Sequence, residues 1–168
     1  MKLTECLLAE LNREVERSRK ALELVPDDKY EWKPHERSMQ FGYLIAMVAT
    51  IPSWVAMQVT RPDLDIAPAD GSSVKMEPMK TSAELLAGLD KTAAMAREAL
   101  EGTTDDHLLT NWQLKVKGQV VLEATRFEMI QDTLNHWVHH RGQATVYLRL
   151  MGAKVPALFG PSADFNRF

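Results

Sequence analysis

One cysteine, Cys6, stands in the whole chain, which excludes an intrachain disulfide and points to reducing surroundings, the cytoplasm. Its place on the apolar side of an amphipathic pattern predicts a packed thiol rather than a nucleophile. Long hydrophobic runs are missing too: Asp, Glu and Lys interrupt every apolar stretch well before membrane-spanning length. The N-terminus lacks a signal-peptide arrangement and no lipidation motif is present, so no membrane partner is expected. There is no glycine-rich phosphate cradle, serine nucleophile elbow, zinc-finger cysteine set or HExxH sequence. Aromatic residues make up 7% of the chain, and Trp32, Trp54, Trp112 and Trp137 are too scattered for a nucleic-acid stacking platform. They are expected as core or loop anchors. A formal net charge of -3 gives no reason to expect a nucleic acid as partner.

What is present suits one helical domain over 1–168. An apolar content of 45% in 168 residues is enough for a sizeable single core. Leu3, Leu7, Leu11, Val15, Leu22 and Val25 fall near one helical stripe, which Pro26 ends. Ser38 is the candidate cap for a second helix through Leu44, Met47, Val48, Ile51 and Val55, with a kink or irregular turn at Pro52. Pro62, Pro68, Gly71 and Pro78 make residues 60–81 a long connection with room for a helical turn. Thr81 or Ser82 then caps a third helix through Leu85, Leu89, Ala93, Ala96 and Leu100, which Gly102 closes. Gly88 inside it carries a modest helical penalty that close packing would relieve. Residues 105–126 admit two readings, a hairpin around Lys117-Gly118 or an irregular connection, and the irregular connection is preferred. The last helix is expected from Arg126 or Phe127 to Met151. Together these elements predict an all-α, antiparallel four-helix bundle with a long crossover connection.

The last helix holds the candidate chemistry. His136 and His140, four residues apart, lie one turn apart on the same side. Two neutral imidazoles so placed can bind a divalent transition metal if other ligands complete the shell, or they can simply be packed and hydrogen-bonded. Met129, Thr133, Gln143 and Tyr147 point roughly the same way, while Ile130, Trp137, Ala144 and Leu148 fit the core. His139 is expected to point elsewhere, near Arg141, toward solvent or a partner. Asp132, four residues before His136, either accepts a hydrogen bond that orients an imidazole from outside a metal site or simply meets solvent.

The first helix, the segment WKPHERSMQFGYLIAMVA and above all NHWVHHRGQATVYLRLMGAKVP resemble the DinB/YfiT-like family of four-helix metal-dependent enzymes over nearly the full chain. The resemblance implies a divalent metal (Ni, Zn or Mn) held by three histidines, one on the second helix and two matching His136 and His140. The second-helix position corresponds to Met47, so the expected site is incomplete there. A thioether suits copper(I) better than those metals, and Met47 also fits an apolar core stripe. His35, roughly 18 Å from Met47 along a helix, and His107 in the later connection are the alternative third ligands.

Two functions follow from the resemblance. One is a divalent-metal-dependent thiol transferase or hydrolase, with Tyr147 or Gln143 shaping the pocket and Arg141 either binding an anionic substrate or forming a surface salt bridge. The other is a metal-free protein that binds a small ligand or acts as a dimeric structural protein. The resemblance also makes a homodimer the expected assembly.

Overall fold

The computed structural model describes residues 2–72 and 78–166. Helix α1 (Leu3–Leu22) buries the stripe Leu7, Leu11, Val15 and Leu22. Its first amides are met from a distance: the carboxylate of Asp105 accepts from the backbone N–H groups of Leu3 and Thr4 at 3.0 and 3.1 Å. Cys6 is exposed, which corrects the expectation of a packed thiol; the buried stripe runs through its neighbour Leu7.

Helices α2 (Phe41–Thr50) and α3 (Pro52–Thr60) meet at Ile51 with a bend of 47°. Pro52 occupies the first turn of α3, where a missing amide hydrogen costs no helical bond. Ser38 is not the cap of α2. The helix begins three residues later, and the first-turn amides of Phe41 and Gly42 donate to the carbonyls of Trp32 and Tyr30, each at 2.8 Å. Backbone from the preceding loop thus takes the place of the expected serine side chain.

The connection after α3 carries a strand, β1 (Asp63–Asp65). Residues 73–77, part of the segment where a helical turn was expected, lie outside the described residues. Helix α4 (Ser82–Glu101) is capped by the Thr81 side chain, which accepts from the Glu84 amide, and ends at Gly102. A Cβ on Gly88 would come within 2.7 Å of Met79 Sδ. Close packing therefore accounts for this mid-helix glycine.

A short helix α5 (Asp105–Leu108) precedes strands β2 (Asn111–Val116) and β3 (Gln119–Thr125). This is the hairpin that the preferred reading replaced by an irregular connection. Lys117 and Gly118 both have positive φ, 52° and 77°, the geometry of a tight two-residue hairpin turn. Asp65 on β1 locks it, accepting from the amides of Lys117 at 3.1 Å and Gly118 at 2.6 Å. The sheet order is β1-β2-β3, parallel then antiparallel, with Leu114 opposite Leu122. The chain is therefore mostly helical rather than all-α.

Helix α6 (Arg126–Leu150) starts from a capping box formed by Thr125 and Glu128. It packs on α1, α2 and α3, and α4 packs on the same three helices from another side. Trp137 is fully buried between them and donates to the Val48 carbonyl at 2.7 Å. Against α1, Arg141 is 1% exposed and ion-paired with Glu14, also 1% exposed. It also donates to the Glu14 carbonyl and the Ser18 hydroxyl, each at 3.2 Å. Neither role expected for Arg141, anionic-substrate contact or surface salt bridge, survives this burial.

Among the described residues no single helix is long and apolar enough to cross a membrane. The bent pair α2–α3 has the length and composition together, but most of its side chains are packed into the core.

Candidate functional site

The bend at Ile51 and the hairpin bring three elements to one side of α6. The result is a cleft of about 290 Å³, walled by Trp54 and Met57 from α3, Leu64 from β1, Trp112 and Leu114 from β2, and Met129, Asp132, Thr133 and His136 from α6. Gln58 and Thr133 join across its floor, with Gln58 Nε2 donating to Thr133 Oγ1 at 2.8 Å. Trp112 is 2% exposed, and its indole N–H has no hydrogen-bond acceptor among the described residues.

His136 stands at the rim of this cleft. Its ring lies 5.4 Å from the Trp54 ring and 4.5 Å from the His140 ring, centroid to centroid. Desolvation beside these rings, followed by the electrostatic influence of His140 and His139, holds its pKa below the ordinary value. The neutral imidazole is thereby favoured at neutral pH. His140 is buried, 6% exposed, and its Nδ1 lies 2.8 Å from Gln143 Oε1. With that amide oxygen as acceptor, Nδ1 carries the proton and the Nε2 lone pair is the one left to bind something else.

The two imidazoles expected to act together are thus together. Rings at this separation are close enough for both to reach one ion at about 2 Å, and Gln143 supplies the outer hydrogen bond that commonly orients a ligating histidine. The fit stops at two donors. Among the described residues no group of three His, Cys, Asp or Glu side chains could hold a metal ion. Met47, 8% exposed, belongs to the hydrophobic core cluster.

His35 is exposed on the loop before α2, where its Nδ1 accepts from the Arg37 amide at 3.2 Å. The His107 ring nitrogen pairs with the Val59 carbonyl at 2.9 Å, beside a broader, open hollow of about 680 Å³ lined by Met95, Glu98 and Thr104. Neither joins His136 and His140. That hollow is larger than the cleft but holds none of the paired imidazoles, so the cleft is the candidate site.

His139 is exposed, as expected, with its ring 5.3 Å from that of its neighbour His140. One further expectation changes. Tyr147 does not shape the cleft. It stacks on Phe41, meets Trp32 edge-on and donates to the Met39 carbonyl at 3.3 Å, tying the loop before α2 to α6. The cleft residues missed in the sequence are chiefly Trp54, Met57, Leu64, Trp112 and Leu114. The alternation of Trp112 with Leu114 was the available signal, because it marks a strand with one packed face.

These features define a mostly helical protein with a small sheet and a side cleft rimmed by His136, whose ring meets the buried His140. The chain belongs to the DinB family, whose sequence model matches residues 1–165. It is similar to a DinB-like protein from Bacillus cereus, at 21% identity and a TM-score of 0.70, covering 91% of this chain and 95% of that one. A DinB-like protein of Bacillus subtilis, YjoA, is 22% identical with a TM-score of 0.67, covering 89% and 95% respectively. At these identities the likeness speaks for the fold. The uncharacterized protein YrdA of Bacillus subtilis is 32% identical over 88 residues, 52% of this chain. That match spans half of YrdA's own length.

Proposed function

We propose that this DinB-family protein, with its helices in the family's four-helix-bundle arrangement, binds a small molecule in the cleft between α3, the sheet and α6. The observation that carries the reading is the cleft itself: its volume lies near the lower end of small-ligand pockets, and its apolar wall ends in a few polar groups. A neutral His136 at the rim can accept or donate a hydrogen bond to whatever sits there. Tryptophan fluorescence during titration with small aromatic compounds tests this. Binding that Met57→Trp abolishes by filling the cleft supports it, and binding unaffected by that change counts against it.

A second reading is favoured by the spacing of His136 and His140 and by the Gln143 hydrogen bond. These two histidines hold a divalent ion (Ni, Zn or Mn), and a cosubstrate or water supplies the remaining ligands. When bound, such an ion would acidify a coordinated thiol or water, the chemistry of a thiol transferase or hydrolase. The chain's own share is orientation: Gln143 fixes the His140 ring, and the Trp54 ring flanks His136. Elemental analysis after purification without a metal-chelating tag, then titration with nickel, zinc and manganese, tests this reading. Near-stoichiometric metal lost on His136→Ala or His140→Ala is the expected result, and a metal content unchanged by both substitutions defeats it.

A cytoplasmic homodimer completes the proposal. Its support is strand β3, a sheet edge with Val120, Val121 and Leu122 exposed, a surface that solitary proteins usually blunt. Light scattering giving the monomer mass at every concentration would remove that element.

A further inference from the structure

Among the described residues the cleft wall contains a single formally charged side chain, the solvent-exposed Asp132. Among the described residues it has no ion-pair or hydrogen-bond partner. Three cations on α6 and β2 are committed elsewhere. Arg126 donates to the Arg61 carbonyl at 2.7 Å and to Thr110 Oγ1 at 3.1 Å, Lys115 pairs with Asp63 at 2.5 Å, and Arg141 is sealed against Glu14. Two indoles, Trp54 and Trp112, line the same space, and indole faces attract cations as well as apolar bodies. The chain's net charge of -3 adds a weak field of the same sign.

We infer that the cleft selects an organic cation, an aromatic or branched apolar body with an ammonium head, the head facing Asp132 and the body lying among Trp54, Trp112 and Leu114. This rests on the proposed small-molecule reading of the cleft and adds the class of ligand to it. An anionic ligand would set its charge against an unpaired carboxylate, with no cation among the described residues of the wall to offset it. A neutral ligand would fill the apolar space and leave that carboxylate unused.

The test compares three compounds of nearly one shape on the full chain: naphthylmethylammonium, naphthylmethanol and naphthoate. Binding is followed by calorimetry and tryptophan fluorescence at low salt. The ammonium should bind about tenfold more tightly than the alcohol, and naphthoate more weakly than either. In Asp132→Asn the ammonium and alcohol affinities should come within about twofold of each other, with alcohol binding retained. Raising the salt should narrow the gap in the unaltered protein. Equal affinities in the unaltered protein, tighter naphthoate binding, or a preference that persists in Asp132→Asn overturns the cation inference and leaves the cleft standing. Failure of all three compounds to bind, or binding that survives Met57→Trp, overturns the cleft reading itself.

Discussion

Along α6, His140 and Arg141 are neighbours in sequence, yet they serve two differently finished regions. On the α1 side, Arg141 is buried against Glu14 and Ser18, and its guanidinium donates to three acceptors there. Burial pushes its pKa below the ordinary arginine value, and the attraction of Glu14 opposes that shift. On the α3 side, the imidazoles touch each other and Gln143, and among the described residues the exposed Asp132 has no partner and the buried Trp112 N–H is unmet. A buried polar group without a partner costs more than the same group in water. A region whose buried charge is matched is therefore built for stability. One that keeps polar capacity open beside apolar surface is suited to meeting something else.

The largest expected effect comes from unbalancing the matched region. Glu14→Leu leaves Arg141 buried without its counter-charge and should lower unfolding stability by about 3–5 kcal/mol, read by urea denaturation. Adding Arg141→Met should restore most of the loss, because an apolar pair of similar bulk pays no desolvation penalty. If the double variant is as unstable as the single, matched charge is not what the α1 seam depends on.

On the open side, Met47→His supplies the donor that the family resemblance places on α2. Zinc or nickel affinity should rise about tenfold or more, about 1.4 kcal/mol, by calorimetry. An unchanged affinity would mean that position 47 does not face the histidine pair. Gly118→Ala should cost about 1 kcal/mol by forcing a side chain into left-handed backbone. Hydrogen exchange should report the loosening first in the hairpin β2–β3, whose strand β2 walls the cleft, and not in α1. Uniform loosening of both regions would dissolve the contrast between them.

The smallest effect is a pH slope. Because the folded-state pKa of His136 is lowered, the unfolded chain takes up its proton first. Stability contributed by the neutral ring is therefore present above the unfolded value of about 6.5 and declines as pH falls through it. Exposure of the residue keeps the slope shallow. Denaturation midpoints between neutral and mildly acidic pH should fall less in His136→Gln than in the unaltered chain. An equal fall in both would place the titrating group elsewhere.

Periodicity alone determined much of the helical layout. The stripe of α1, the Thr81 start and Gly102 end of α4, the break at Pro52 and the span of α6 are local consequences of apolar spacing, capping and proline. The i, i+4 spacing likewise sufficed to put His136 and His140 on one face. Only the tertiary structure decided what surrounds them. Whether Trp112 and Leu114 belong to a strand depends on Asp65 clasping the Lys117-Gly118 turn from 52 and 53 residues away. Whether Arg141 is a surface charge or a buried one depends on Glu14, 127 residues distant. Local pattern reports which face of an element is apolar. It carries no record of which partner arrives at that face, and the partners here decide both the sealed seam and the open cleft.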